Sequence, residues 1–272
     1  MIFPMPLVDT LLRAAEKELY RLHFSQEILD GATRNLVKRG KMPLDKAQRF
    51  QRFILNAFPD SLIEVPEGFE AMMTNHPGDR HVLAAAVVAK ADVIVTSNLK
   101  HFPNQSLEPW HLEVQHPDIF LNSLSDFYGD GVLYNIVVEQ ALALKNPPQT
   151  AIDLLERFER EQPMFASRML LHGHGPMVGK TARTILDVLL PEEVPGNRTK
   201  SGNHYEISEI GQEIVVSDKY TNREILRKNG TSMTGQPLRK HILDFEEMKQ
   251  VVEPWIKARL FRVGSFSQPF SR

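Results

Sequence analysis

In the stretch GDRHVLAAAVVAKADVIVTSNLKHFP, residues 78–103, an acid opens an apolar run with helical spacing and a Thr-x-Asn sequence closes a run of β-branched residues. The pattern predicts a helix over 79–90 that turns into a buried strand, DVIVTS, with polar side chains gathered where the chain changes direction. An acid such as Asp79 can do two things there. It can interact with the helix dipole and cap amides, or it can offer a hard oxygen to a divalent cation. His101 ends the run, and a neutral imidazole ligates Mn²⁺ and other transition ions but serves Mg²⁺ poorly. His81, in the first helical turn, reads as structural, and Asp92 reads as a solvated turn residue at the start of the strand.

Composition limits which other chemistries are open. The chain has no cysteine, so disulfides, thiolate zinc sites and a Cys nucleophile are excluded, and catalysis must use oxygen, nitrogen or metal. Hydrophobic residues make up 42% and charged residues 24% of its 272 residues, an ordinary globular balance with room for a sizeable core. The first residues, MIFPMPLVDTLLRAAEKELYRL, lack a basic segment ahead of their apolar ones and soon become charged, so neither a secretory signal nor a membrane span is expected, and the cytoplasm is the expected compartment. Charge is uneven. Residues 171–272 hold 15 Lys+Arg against 12 Asp+Glu, and residues 1–170 hold 17 against 22, a difference that suits a solvated surface as readily as a nucleic-acid contact.

These side chains need elements to position them. Leu7, Leu11, Leu12, Ala15 and Leu19 mark one face of a helix over 7–19. RLHF at 21–24 predicts a short strand, with Ser25 capping a helix that begins at Gln26. A helix over 44–58, a strand over 61–65, the helix and strand of the opening stretch, a further strand over 111–114 and a helix from Pro117 complete an alternating rhythm. That rhythm predicts an α/β domain with a mostly parallel sheet and helices on both faces, which binds ligands beyond the carboxyl ends of its strands. The domain is expected over residues 1–126, a helical extension over 127–170 and a small basic α+β module over 171–272, with a boundary between about 163 and 178. In the last module a short helix is expected from Ala182 to Leu190, a loop over 195–203, an antiparallel meander from His204 to Gly230 and a final helix from Asp244.

Two further motifs have nearer explanations. GHGPMVGKT at 173–181 approaches a phosphate-binding loop, but the required first glycine falls on His174, so a Gly-rich hinge is expected instead. Tyr205, Tyr220, Arg223, Arg227 and Lys228 interleave aromatic and basic residues as a single-strand-binding face would, or as a half-buried sheet with cationic outer positions.

The block DRHVLAAAVVAKADVIVTSNLKHFP, with FSQEILDGATRNLV at 24–37 before it and HPDIFL at 116–121 after it, resembles the PIN-domain nucleases, in particular their VapC-like bacterial branch. The resemblance covers roughly residues 3–160. It implies a PIN-like parallel sheet whose carboxyl edge carries an acidic cluster that holds Mg²⁺ or Mn²⁺ and activates water to cut RNA. Hydrolysing a phosphodiester needs a nucleophile and shielding of developing negative charge, and hard ions on several carboxylates supply both.

Of the four acids that the resemblance implies, Asp79 matches the third. The second aligns with Gly31, beside which Asp30 and, a turn earlier, Glu27 are the candidates. The fourth position holds His101, and Thr96 and Asn98 are expected to shape the site. The first acid would end a leading strand in the middle of the sheet, ahead of Phe3-Pro4-Met5-Pro6, and an apolar run ending in Asp is expected within about ten codons upstream of Met1. The resulting expectation is a metal-dependent, toxin-like ribonuclease acting on RNA, whose family often pairs with an antitoxin and forms homo-oligomers. The alternative is a PIN-derived protein that has lost hydrolysis and keeps nucleic-acid or partner binding.

Overall fold

Residue order alone sets up the local geometry of the computed structural model, which describes residues 4–189, 196–202, 205–237 and 239–250. The chain divides into two compact units, Met1–Ile136 and Val137–Arg272.

In the first unit, Pro4 precedes α1 (Met5–Glu16), which buries Leu7, Leu11, Ala14 and Ala15 along one face. The short strand β1 (Phe24–Ser25) leads directly into α2 (Gln26–Lys38), and the Ser25 hydroxyl accepts a hydrogen bond from the Ile28 amide as the expected cap. Helix α3 (Leu44–Ala57) lies against α2, and β2 (Leu62–Ile63) pairs with β1 in parallel. Then comes α4 (Arg80–Ala89), where four successive buried residues, Leu83 to Ala86, are mostly alanines whose small side chains let neighbours approach closely. Lys90 ends it in the left-handed conformation and the chain enters β3 (Val93–Val95). A four-residue helix, α5 (Asn104–Leu107), connects to β4 (Glu113–Gln115), which runs parallel to β3 with Ile94 opposite Val114. Helix α6 (Pro117–Tyr128) starts where its N-terminal proline permits. Met73, Leu83, Ala84, Ile94, Phe102, Leu107 and Leu112 make the core under β3 and β4, and Phe24, Leu29 and Ile54 make a second one under β1.

The mixed α/β character was expected, and so was the parallel pairing. The strands form two separate parallel pairs, β1–β2 and β3–β4, rather than one bonded sheet.

Helix α7 (Asp130–Ala143) crosses from the first unit into the second. The second unit continues with α8 (Ala151–Phe158), opened by a capping box between Thr150 and Asp153, and α9 (Pro163–Leu189). The described strands that follow are β5 (Asn197–Ser201), β6 (Tyr205–Ile210), β7 (Glu213–Asp218), β8 (Glu224–Asn229) and β9 (Ser232–Thr234), an antiparallel meander in chain order. Residues 239–250 form a last described helix, α10. It starts before the expected Asp244, and the remainder of that expected helix lies outside the described residues.

Two expectations for this half are corrected. The Gly-rich segment 173–181 is not a hinge, because α9 runs through it and also absorbs the short helix expected from Ala182. Its glycines mark close approach to β8. A Cβ on Gly179 would lie 3.0 Å from Lys228 Cδ, and one on Gly175 would lie 3.5 Å from Leu226 Cδ1. Pro176 removes one amide from the ladder, but Val178, Ala182, Ile185 and Leu186 bury the helix beyond it. Most of the expected loop 195–203 is instead the edge strand β5, paired with β6 from Asn197↔Ile210 to Ser201↔Glu206. Of the two readings of the aromatic and basic residues on this sheet, the half-buried one fits Tyr205, which is buried, and Arg227, which is engaged by Glu213 and Glu224.

Candidate metal centre

Asp79 occupies the N-cap position of α4, yet its side chain makes no capping hydrogen bond. Its carboxylate turns to His101, with Oδ2 2.5 Å from Nδ1, and the two side chains are 15% and 21% exposed. Because α4 runs back toward the start of β3, its head lies at the same edge as the loop that leaves the β3 carboxyl end, the place where open α/β structures bind ligands.

Local sequence explains why His101 reaches that edge. The Thr96 amide extends the ladder to the Gln115 carbonyl, and its buried hydroxyl accepts the Asn98 amide, turning the chain sharply at the strand end. Asn98 then starts a single 3-10 turn, Leu99–His101, closed by the His101 amide on the Asn98 carbonyl. Thr96 and Asn98 thus sit at the turn that presents His101.

A third side chain completes the cluster. His76 stacks on His101 with ring centroids 3.9 Å apart and planes 12° from parallel. The His76 amide donates to the His101 carbonyl, and the Gly78 amide donates to His76 Nδ1, so the turn His76-Pro77-Gly78 holds the ring in place. One ligand atom from each of His76, Asp79 and His101 lies within 4.8 Å of the others. Buried Asn75 sits beside them: its amide nitrogen donates to the Asp79 carbonyl, while Oδ1 has no hydrogen-bond partner among the described residues.

The remaining candidate acids lie on α2 and separate from each other. Glu27, in the first turn, hydrogen-bonds Glu70. Burial, then that hydrogen bond and charge, raise the Glu70 carboxyl above the ordinary range. His81 feels both groups of acids. Burial lowers its pKa, and the charges of Glu27 and Asp79 oppose that shift. Asp30 is occupied elsewhere, its Oδ1 accepting from Gln26 and from Gln51 of α3. A Cβ on Gly31 would meet only the Arg34 guanidinium, at 3.7 Å, so this position holds space in place of the acid that the resemblance implies.

Sequence reasoning missed His76 and Glu70. The signal for His76 was its place three residues before Asp79 in a Pro-Gly turn. Glu70 follows a loop glycine and has no recognisable local signature.

The donors at the cluster are one carboxylate and two imidazoles. Mg²⁺ requires near-octahedral oxygen coordination and fits this set poorly, whereas transition ions such as Mn²⁺ accept nitrogen and oxygen together. No helix among the described residues is long and apolar enough to cross a membrane.

Comparison with known proteins adds two matches. A family model described as the VapC50 C-terminal domain matches residues 117–170. The chain is also 43% identical over 98 residues to a Mycobacterium tuberculosis protein named "Putative ribonuclease VapC50", covering 36% of this chain and 57% of that protein. The chain therefore spans a little over half the length of the curated relative it matches. No solved structure matches it.

Proposed function

We propose, from the premise that this chain belongs with the VapC-like PIN-domain family, that it is a toxin-type endoribonuclease dependent on a divalent cation. The observation that carries this reading is Asp79: a side chain at the head of α4 that leaves its amides uncapped and joins His101 at the strand-end edge. Mg²⁺ or Mn²⁺ is the proposed cofactor, and the donor set favours Mn²⁺. When bound, the ion would supply the charge shielding and activated water that phosphodiester hydrolysis needs. Asp79 provides the negative charge that holds it, His101 orients that carboxylate, and Glu27 is the second acid. Thr96 and Asn98 fix the turn, and Asp30 ties α2 to α3. In this reading β1–β2 and β3–β4 are the halves of a PIN-like sheet, RNA is the substrate, an antitoxin and a second copy of the chain are partners, and the cytoplasm is the compartment.

A second reading is favoured by Gly31 and His101, which stand where the family pattern has acids: a PIN-derived protein that binds RNA or a partner without cutting. One experiment separates the two. Single-stranded RNA incubated with the purified chain and Mn²⁺ or Mg²⁺ should be cleaved and should be protected by EDTA. Binding of RNA without cleavage under either ion favours the second reading.

A further inference from the structure

We infer that His76, Asp79 and His101 form a mixed imidazole–carboxylate site that selects a transition divalent cation over Mg²⁺ and uses His76 as a ligand. The inference deepens the reading of Asp79 as a metal-holding residue and rests on it.

Three observations on this cluster converge. The first is composition: two imidazoles and one carboxylate, with ligand atoms within 4.8 Å of one another, match the nitrogen and oxygen preference of Mn²⁺ or Co²⁺ better than the all-oxygen shell of Mg²⁺. The second is pre-organisation. The rings are stacked, His76 is tied to His101 through the backbone, and its Nδ1 is held toward the Gly78 amide, so the donors are positioned before any cation arrives. The third is the 2.5 Å contact between His101 Nδ1 and Asp79 Oδ2, which holds an imidazole and a carboxylate side by side at the head of α4. Binding changes no covalent bond: the cation exchanges bound water for protein donors.

A purely structural role predicts differently. If the three residues only brace the loop against α4, removing the exposed His76 ring should leave cation binding as it was.

The test is direct binding by the full chain, stripped of metal with a chelator and titrated calorimetrically with Mn²⁺ and, separately, Mg²⁺. One Mn²⁺ per chain is expected, held about tenfold or more tighter than Mg²⁺. Pulsed electron paramagnetic resonance of the Mn²⁺ complex should show ¹⁴N coupling from imidazole. His76→Ala should weaken Mn²⁺ binding by about tenfold and leave Mg²⁺ binding nearly unchanged. His76→Gln, which keeps a polar side chain at the turn, should do the same with native circular dichroism. Mn²⁺ that binds without ¹⁴N coupling, or equally well to both His76 variants, overturns the inference and leaves Asp79 as a metal ligand. Binding of neither ion overturns both, and RNA cleavage that persists in EDTA identifies that case independently.

Discussion

His101 Nδ1 lies 2.5 Å from Asp79 Oδ2 across 22 residues of sequence, joining the loop after β3 to the head of α4. The Asp79 side chain makes this contact and caps no amide of the helix. Asp79→Asn is therefore expected to preserve the fold, moving the thermal midpoint by only a few degrees, an effect of about 1 kcal/mol or less. The same variant should lose Mn²⁺ binding and RNA cleavage. Cleavage at the parental rate would remove Asp79 from the site.

His101→Asp tests the other partner. Replacing the imidazole with a second carboxylate sets like charges against Asp79, so the variant should melt below the parent when no cation is present. Added Mg²⁺ should raise its midpoint more than it raises the parent's, because the ion gains an oxygen donor it prefers. A thermal-shift titration reads both effects. A midpoint in which Mg²⁺ lifts parent and variant equally would place His101 outside the cation site.

What could be read from the residues depended on how local the cause was. Ser25, Pro117 and the Thr96-x-Asn98 turn act within a few residues, and each does in the structure what its type suggests. His76 and Glu70 become site residues only because distant segments meet, through ring stacking in one case and a carboxylate pair in the other. The α9 glycines misled for a related reason. In sequence they signal a break, but burial against Leu226 and Lys228 of β8 overrides the low helix propensity of Gly175 and Gly179. Two parallel pairs could not be told from one sheet by strand patterns, since pairing is a tertiary property.

Glu27 and Asp30 share a helix but differ in surroundings, and substitution should separate them. Glu27→Gln removes the charge that helps raise the Glu70 carboxyl. A carboxyl raised in the folded state favours folding below its pKa and loses that contribution as pH rises through it, so Glu27→Gln should flatten the decline above the carboxylate range. The substitution should also reduce cleavage. Asp30→Ala instead loses the hydrogen bonds from Gln26 and Gln51, at a cost of about 1 kcal/mol, with a smaller effect on cleavage. Denaturant melts across pH, together with cleavage rates, measure both. A larger cleavage loss in Asp30→Ala at equal stability would reverse the assignment.

The second unit should respond to acid in two steps. Glu209 is 2% exposed and is held at a pKa of about 2, chiefly by the hydrogen bond from Arg198, with burial opposing and the Gly196 amide and Arg183 helping. A depressed carboxylate stabilises the fold above its unfolded value near 4.5 and loses that contribution as pH falls toward 2. His241 is buried and is lowered to about 4, mainly by burial and then by Lys240, with Asp218 opposing and Arg223 assisting. A histidine kept neutral in the fold stabilises it above the unfolded value of 6.5, and that contribution is lost between 6.5 and about 4. Hydrogen exchange over residues 205–229 should therefore lose protection first between pH 6.5 and 4, and again below 4.5. His241→Leu should remove the upper step. Glu209→Gln should remove the lower one and cost about 3 kcal/mol at neutral pH, because the guanidinium of Arg198, only 4% exposed, loses the charge of this carboxylate. Unchanged protection of β6–β8 down to pH 4 in the parent chain would show that His241 does not couple to this sheet.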